Sequence, residues 1–455
     1  MKTRTVPTVT VVQNACKLCA PLGACLAFRG VEGALPFLHG SLGCATYIRR
    51  YIIGHFREPM DVASSSFDEY SAAFGGTDNL ERGLSNATEQ YRPKLIGIAS
   101  TCLSETLGDD LPTIVKQSRV SMASQDSTQP ILLTVSTPSY RGTHETGFRL
   151  ATLAITQKLA GGGERRPNTL NLFPGILSPA DFRHLREITA AFGLDTTILP
   201  DYSDTLDGPA LADYELIPQG GTPINRIVGM GTASASISFD PASSANISAG
   251  AWLENEYGVP ETPLGVPIGL RETDLFFRSL EEISGRPTPV ELALERGRLV
   301  DAYVDIHKFL FGKKVVLYGE ETLVVGLASF LAEIGCMTLF CATGEQSGCL
   351  ENILRERLTD YRGDLQVVEG ADFTDIAQAV EEIKPDLMVG NSKGYPVARK
   401  YSIPLVRVGF PVHDRFGAQR ILHVGYRGTQ QLLDRIANEI LGRAQDSSPV
   451  GYTHF

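Results

Sequence analysis

The fold is decided by the stretch at residues 34–56, A-L-P-F-L-H-G-S-L-G-C-A-T-Y-I-R-R-Y-I-I-G-H-F. Residues 34–38 form a short apolar run, which predicts a strand buried on both faces, and residues 46–56 predict a helix. The H-G-S-L-G turn between them places Cys44 where the helix opens. A buried strand that turns directly into a helix is the repeating unit of a parallel sheet covered by helices.

The same alternation of short apolar runs and amphipathic stretches continues along the chain. Further strands are predicted at residues 94–100, 131–136, 169–173, 196–199, 313–318, 337–341, 386–389 and 404–408. The glycines at 161–163 mark a linker, and residues 201–240, rich in Gly, Ser, Pro and Asp, predict loops and short elements. The predicted fold is α/β, with three Rossmann-like, doubly wound domains at residues 1–163, 164–305 and 306–455.

Composition excludes several classes of protein. The 455 residues carry 41 Lys and Arg against 52 Asp and Glu, a formal net charge of -11, which argues against a broad nucleic-acid footprint. No apolar run reaches the roughly 18 residues that a membrane span needs. The N-terminus has no apolar segment of the kind found in secretory signals. The expected location is therefore the cytoplasm, without membrane or nucleic-acid partners.

Several polar side chains and thiols follow the predicted strands of the first domain. Cys44 follows the strand at 34–38, Cys102 the strand at 94–100, and Ser139 the strand at 131–136. Ligands of open parallel sheets gather beyond the carboxyl ends of the strands, so we expect these three residues at one edge. A helix N-terminus also favours a thiolate at Cys44. His39, in the turn, is a candidate for a hydrogen bond to sulfur at this edge or for stabilising the turn itself.

The remaining cysteines allow more than one interpretation. Cys16 and Cys19 have C-x-x-C spacing, which occurs in redox pairs, in half of a zinc site and between unrelated core residues. If Cys19 joins Cys44 and Cys102, the site holds three thiolates. An iron-sulfur cluster that needs four or more would then share ligands with another chain. The cysteines expected to be buried as small apolar side chains are Cys16, Cys25, Cys336, Cys341 and Cys349.

Ordered motifs along almost the whole chain resemble the β-type half of the nitrogenase component 1 family. They are C-A-P-L-G-A at 19–24, P-F-L-H-G-S-L-G-C at 36–44, H-F-R-E-P at 55–59, S-T-C at 100–102, G-D-D at 108–110, G-N-S at 390–392, G-F-P-V-H-D-R at 409–415 and G-Y-R-G at 425–428. The ordered combination is highly specific.

This resemblance implies a cofactor and partners. In that family an α-type and a β-type chain form an α2β2 heterotetramer, and the β-type chain supplies three cysteines and a serine to an interface P-cluster (8Fe-7S). The matching residues are Cys19, Cys44, Cys102 and Ser139, with an ordinary (4Fe-4S) cluster as the alternative. Phe74 matches the aromatic on which the ATP-dependent iron protein docks. The active-site cluster belongs to the α-type partner, so we expect no catalytic residue in this chain.

The resemblance is divided between two branches of the family. Residues 103–106 and the C-terminal half, especially residues 412–417 and 424–428, are more similar to the N-type subunit of the scaffold on which the iron-molybdenum cofactor is assembled. Typical N-type chains, however, keep only the thiol that matches Cys44. This mixture resembles the nitrogenase-like reductases, such as methylthio-alkane reductase. An N-type scaffold subunit and the β-subunit of a nitrogenase are the alternatives. The sequence contains no G-x-x-x-x-G-K-[ST] phosphate loop, so ATP hydrolysis is expected on another protein.

Overall fold

The computed structural model describes residues 2–3, 14–122, 129–241, 247–358, 361 and 363–451. Its strands form three parallel sheets, one for each repeated unit of the sequence. Helices cover the sheets, so β-strands near the centre of each sheet are buried on both faces. The predicted class, α/β with three Rossmann-like doubly wound units, is confirmed.

The first unit carries the sheet on which the candidate site lies. After the short strand β1 (Lys2–Thr3), its elements are α1 (Ala20–Arg29), β2 (Ala34–His39), α2 (Leu42–Phe56), β3 (Ala63–Ser64), α3 (Ser71–Phe74), α4 (Thr77–Tyr91), β4 (Leu95–Ser100), α5 (Cys102–Leu107), α6 (Leu111–Met122), β5 (Ile131–Val135) and α7 (His144–Leu159). The strand order is β3-β2-β4-β5. Strand β2 comes first of these four and lies inside the sheet. The chain continues to β3 on one side of β2 and then crosses to β4 on the other side, which creates a switch point between β2 and β4.

The second unit contains two strands that the sequence did not single out. Its elements are β6 (Arg166–Phe173), α8 (Pro179–Ala191), β7 (Asp195–Ile198), α9 (Ile224–Val228), β8 (Ala233–Ser238), α10 (Ala249–Tyr257), β9 (Glu261–Pro263), α11 (Gly269–Ser284) and α12 (Val290–Leu310), in the sheet order β7-β6-β8-β9. The two strands are β8 and β9, of which β8 lies in the stretch predicted as loops and short elements. Its sequence A-S-A-S-I-S is small and polar, and it forms a strand because it pairs with both β6 and β9.

The third unit has the largest sheet. Its elements are β10 (Lys314–Gly319), α13 (Glu321–Glu333), β11 (Met337–Thr343), α14 (Leu350–Arg357), β12 (Gln366–Val368), α15 (Phe373–Ile383), β13 (Leu387–Gly390), α16 (Tyr395–Lys400), β14 (Leu405–Arg407) and α17 (Gly425–Ser447). The order is β1-β12-β11-β10-β13-β14. Strand β1 therefore joins the third sheet, although the sequence assigns it to the first domain. The domain boundaries themselves stay a prediction.

The three units share one large hydrophobic core. It includes Phe28 of the first unit, Phe182 of the second and Phe330 of the third, each fully buried. Packing between units, together with packing within each sheet, therefore fixes where the strand ends of the first unit lie. In the part of the chain that the structure describes, no helix has the length and apolar character needed to cross a membrane.

Candidate functional site

The switch point of the first sheet brings two strand ends together. His39, the last residue of β2, is in register with Ser100, the last residue of β4. The N–H of Thr101 donates to the carbonyl oxygen of His39 at 3.2 Å, and its hydroxyl donates to the same oxygen at 3.0 Å. The loops that carry Cys44 and Cys102 therefore start from adjacent, mutually bonded positions.

Cys44 lies in the first turn of α2. The helix begins after Ser41, and the Ser41 hydroxyl donates to the Cys44 sulfur at 3.9 Å. The side chain is part-exposed, and it packs against the large core on its other side. The thiol therefore faces the outside of the chain from the positive end of a 15-residue helix.

Cys102 is the first residue of α5 and is exposed. Its sulfur accepts the backbone N–H of Ser139 at 3.3 Å. Ser139 follows β5, so the predicted serine lies directly beside the predicted cysteine. An N–H donor to sulfur also stabilises negative charge on the thiolate, as such contacts do around protein-bound clusters.

Cys19 reaches the same edge from a different direction. It precedes the first residue of α1 and is part-exposed. Burial, and to a smaller extent the neighbouring thiols of Cys44 and Cys102, raise the pKa of its thiol to about 11. The thiols of Cys44 and Cys102 are thus both within electrostatic range of Cys19, so the structure brings together the predicted residues Cys19, Cys44, Cys102 and Ser139.

The position of Cys19 depends on a close approach of α1 and α7. A methyl group on Gly23 would lie 1.7 Å from the carbonyl oxygen of His144, and one on Gly147 would lie 1.9 Å from that of Ala20. The two helices therefore pack backbone against backbone. Ala20, which directly follows Cys19, is held in place by this contact.

Gly147→Ala is expected to force α7 away from the start of α1. Overpacking of this kind costs about 1–3 kcal/mol, which a urea titration would report as a lower free energy of unfolding. Gly442→Ala is the matched control, because a methyl group there meets nothing within 4 Å on the exposed side of α17. Equal stability of the two variants would contradict the close-approach argument.

The C-x-x-C spacing does not form a paired site. Cys16 lies in a separate core cluster with Tyr318 and Phe340, and burial raises the pKa of its thiol to about 12. Cys16 and Cys19 form no disulfide, and they lie in different surroundings, since Cys16 is buried and Cys19 is part-exposed. The other cysteines outside the site are buried or part-buried in the core, as expected: Cys25, Cys336, Cys341 and Cys349.

The three thiols are spread more widely than the ligands of one metal ion. Among residues 14–122, 129–241, 247–358 and 363–451, no three His, Cys, Asp or Glu side chains lie close enough to hold a single ion. Thiolates around one zinc would each lie about 2.3 Å from it. Soft thiol donors at a wider spacing suit a polynuclear iron-sulfur cluster.

Glu105 is a site residue that sequence reasoning missed. One oxygen of its carboxylate accepts from the hydroxyl of Ser100 at the end of β4 and from that of Ser136 after β5. It therefore ties two strand ends together beneath Cys102. Only a Ser-x-x-x-x-Glu spacing in the sequence hinted at this contact, and such a spacing is common.

The outer face beside the thiols is rich in exposed apolar side chains. Phe74 is 77% exposed at the end of α3, and its ring lies 4.9 Å from that of Tyr70, which is 68% exposed. Closer to the thiols, the exposed side chains are Leu42, Tyr47 and Tyr140. Exposed aromatic residues at this density are typical of surfaces that bind other proteins.

The polar turn N-S-K-G at residues 391–394 contacts other parts of the chain. The ammonium group of Lys393 donates to the carbonyl oxygens of Ala15 and Lys17. Asn391 begins a short 3-10 turn by accepting the Lys393 N–H at 3.1 Å. These hydrogen bonds hold the segment that leads to Cys19, and they occupy the Lys393 ammonium group.

Comparisons with known proteins agree with this geometry. The sequence profile described as nitrogenase component 1 type oxidoreductase matches residues 19–441. The nitrogenase molybdenum-iron protein beta chain of Clostridium pasteurianum is 35% identical over 434 residues, 95% of this chain and 94% of that one. The iron-molybdenum cofactor biosynthesis protein NifN of Bradyrhizobium diazoefficiens is 33% identical over 455 residues, 97% of this chain and 92% of that one.

Solved structures give the same result. A structure described as nitrogenase Cp1 at pH 6.5 superposes with a TM-score of 0.93 at 33% identity, covering 99% of this chain and 98% of the other. A second, nitrogenase Cp1 at pH 5, shares the fold with a TM-score of 0.72 at 17% identity. The chain therefore belongs to the nitrogenase component 1 type oxidoreductases, as a β-type chain.

Proposed function

We propose that this chain is the electron-relay subunit of a nitrogenase-like reductase. Electrons would pass from an ATP-dependent iron protein, through an iron-sulfur cluster held at the thiol edge, to the active-site cluster of an α-type partner. The observation that carries the proposal is the presence of Cys19, Cys44 and Cys102 together, with Ser139, at one switch point. Small methylthio-alkanes are the proposed substrates.

The donor set fits such a cluster. Three free thiols and a neighbouring serine face the outside of the chain, at a spacing wider than one metal ion requires. An odd number of thiols leaves iron sites open for ligands from a second chain. We propose a P-cluster of the 8Fe-7S type. A 4Fe-4S cluster at the same place would use only some of these residues as ligands.

The chain's own residues supply geometry and an electrostatic setting. A bound cluster would supply one-electron storage and transfer. The Ser41 hydroxyl donates to the Cys44 sulfur and the Ser139 N–H to the Cys102 sulfur, and such hydrogen bonds orient the sulfur ligands of a cluster. Buried strands β2 and β4 close the site from behind and exclude water. Burial of this kind sets the reduction potential together with the hydrogen bonds to sulfur.

Two exposed surfaces suit the proposed α2β2 assembly. Leu42, Tyr47 and Tyr140 surround the thiols, so an α-type partner that adds ligands would cover them at the same time. A tetramer also needs a contact between its two halves. Helix α12 exposes four apolar side chains, Val290, Leu294, Val300 and Val304, which suit a twofold contact with a second copy of this chain.

The iron protein is the proposed partner of the Phe74 surface. Phe74 and Tyr70 form an exposed aromatic pair on the same unit as the thiols, so a protein docked there would lie near the cluster. The absence of a phosphate loop from the sequence places ATP hydrolysis on that partner. We also propose a cytoplasmic location, where thiols stay reduced.

A second candidate function rests on one observation. The cofactor biosynthesis protein NifN is 33% identical over 97% of this chain, a similarity close to that of the catalytic beta chains. The chain would then be an N-type scaffold subunit, with a (4Fe-4S) cluster at the interface. The β-subunit of a nitrogenase is the remaining alternative within the same family.

Iron counting and EPR separate these functions. The chain is purified anaerobically with an α-type partner produced without its active-site cluster, so that all bound iron belongs to the interface. About eight irons per interface, with an EPR signature unlike that of a 4Fe-4S cubane, support the relay subunit, and about four support the scaffold. Absence of iron overturns both. With the complete complex, methanethiol or ethylene released from methylthio-alkanes is compared with acetylene reduction, which distinguishes the reductase from a nitrogenase.

A further inference from the structure

Asp109 connects the exposed aromatic surface to the thiol edge. One oxygen of its carboxylate accepts the N–H of Gly76 at 3.2 Å and lies 3.0 Å from the Nε2 atom of His39. Gly76 ends the docking turn, residues 70–76, which carries Phe74. His39 ends β2, five residues before Cys44. A single carboxylate oxygen therefore contacts both regions.

Asp109 is also tied to the helix that carries Cys102. That helix, α5, begins at Cys102 and ends at Leu107, with Gly108 in the left-handed conformation as its cap. The N–H of Asp109 donates to the carbonyl oxygen of Ser104 at 3.2 Å. The carboxylate is thus fixed to the far end of the Cys102 helix, and it contacts β2 on one side and the docking turn on the other.

The His39 ring has one orientation in this network. The side chain is fully buried, and burial lowers its pKa, while the charge of Asp109 opposes that shift. Because a carboxylate oxygen can only accept, the Nε2–H of the ring donates to Asp109. The Nδ1 atom lies 3.1 Å from the Ser65 hydroxyl, whose oxygen accepts the N–H of Gly40 at 2.9 Å. His39 therefore stabilises the turn, which was one of its two predicted roles.

The docking turn packs on this network without space for a further side chain. A methyl group on Gly76 would lie 2.2 Å from the Phe67 ring and 2.9 Å from the His39 ring. The Phe67 and His39 rings meet edge to face, with centroids 4.9 Å apart. Contact and hydrogen bonding together hold the backbone beside Phe74 against the strand end that leads to Cys44.

We propose that Asp109 is a positioning residue, which fixes the docking turn at one distance and angle from Cys44 and Cys102. The inference rests on the proposed function, because it gives the fixed geometry a role in electron transfer from a protein docked on Phe74. Without the carboxylate, the Gly76 N–H and the His39 N–H lose their common acceptor, and the turn is free to move relative to the thiols. Misplacement by about 1 Å is enough to slow a positioned reaction by up to about 100-fold.

The test compares Asp109→Ala with Asp109→Asn and with Asp110→Ala in the purified complex. Asp109→Asn keeps an acceptor oxygen without the charge. Asp110→Ala removes the same charge from the neighbouring residue, whose carboxylate contacts Thr113 at the start of α6. Iron content, the apparent affinity for iron protein and the electron-transfer rate at saturating iron protein are measured for each variant.

Asp109→Ala is expected to keep its iron and to lower the saturating rate about tenfold or more. Asp109→Asn should recover most of that rate, and Asp110→Ala should match the wild type. An unchanged saturating rate, a change in affinity alone or a loss of iron in both Asp109 variants would overturn the positioning role. The proposed function fails separately, if the wild-type complex holds no iron or accepts no electrons from iron protein.

Discussion

Cys102→Ala is expected to remove most interface iron and to reduce reductase activity at least about 100-fold. Loss of residues that only support a metal ligand typically costs 10–100-fold, so loss of a ligand should cost no less. Cys102 is exposed, and its sulfur accepts only the Ser139 N–H within the described chain. The substitution should therefore leave the fold intact. Iron per complex, EPR amplitude and product formation measure the effect.

Cys349→Ala is the matched control for this experiment. Cys349 is a part-buried cysteine of the third unit, whose sulfur lies 3.6 Å from the carbonyl oxygen of Ser347 and far in sequence from the site. It should keep wild-type iron and activity. If Cys102→Ala also kept both, the assignment of Cys102 as a ligand would be wrong. Circular dichroism of both variants checks that neither has lost its fold.

Arg149→Met is expected to cause the largest loss of stability. The guanidinium of Arg149 pairs with Glu145 at 3.1 Å and with Asp240 at 2.5 Å, and all three side chains are less than 15% exposed. Glu145 in turn accepts the N–H groups of Glu321 and Thr322 at the start of α13. The two ion pairs of Arg149 therefore lie where the three units meet. The substitution leaves two buried carboxylates without their cation, at a cost of about 3–5 kcal/mol.

Acid should reduce the difference between Arg149→Met and the wild type. Burial alone would raise the pKa of Glu145, but the charge of Arg149 and the hydrogen bonds from α13 outweigh burial and lower it. A carboxyl whose folded pKa is depressed stabilises the protein above its unfolded value, about 4.3, and this contribution is lost as the pH falls through the folded pKa. The stability gap should therefore be largest near neutral pH.

Urea titrations at pH 7 and below pH 4 measure this gap. Arg82→Met is the control, since Arg82 is an exposed arginine on α4 of the same unit, and it should change the free energy of unfolding by less than about 0.5 kcal/mol. A loss for Arg149→Met that is equally small, or that is the same at both pH values, would contradict the role given to the buried network.

The strands around the site were predictable because their signal is local. Parallel strands covered on both faces are continuous apolar runs, so residues 34–38 and 94–100 indicated β2 and β4 to within one residue at their ends. Strand β8 was missed since A-S-A-S-I-S has neither an apolar run nor β-branched residues until Ile237. Its pairing with β6 and β9, which no local pattern reports, makes it a strand.

The sequence by itself determined which strand ends carry Cys44, Cys102 and Ser139, because chain order places thiols after strands and parallel strands end at one edge. The family resemblance already named Cys19, and Cys16 was expected in the core, but only the tertiary structure shows how Cys19 reaches this edge, through the backbone contact of Gly23 and Gly147 between α1 and α7. The bond between Asp109 and His39, 70 residues apart, likewise comes from packing. Periodicity reports which face of an element is buried, whereas contacts between distant side chains depend on how the elements are placed against each other.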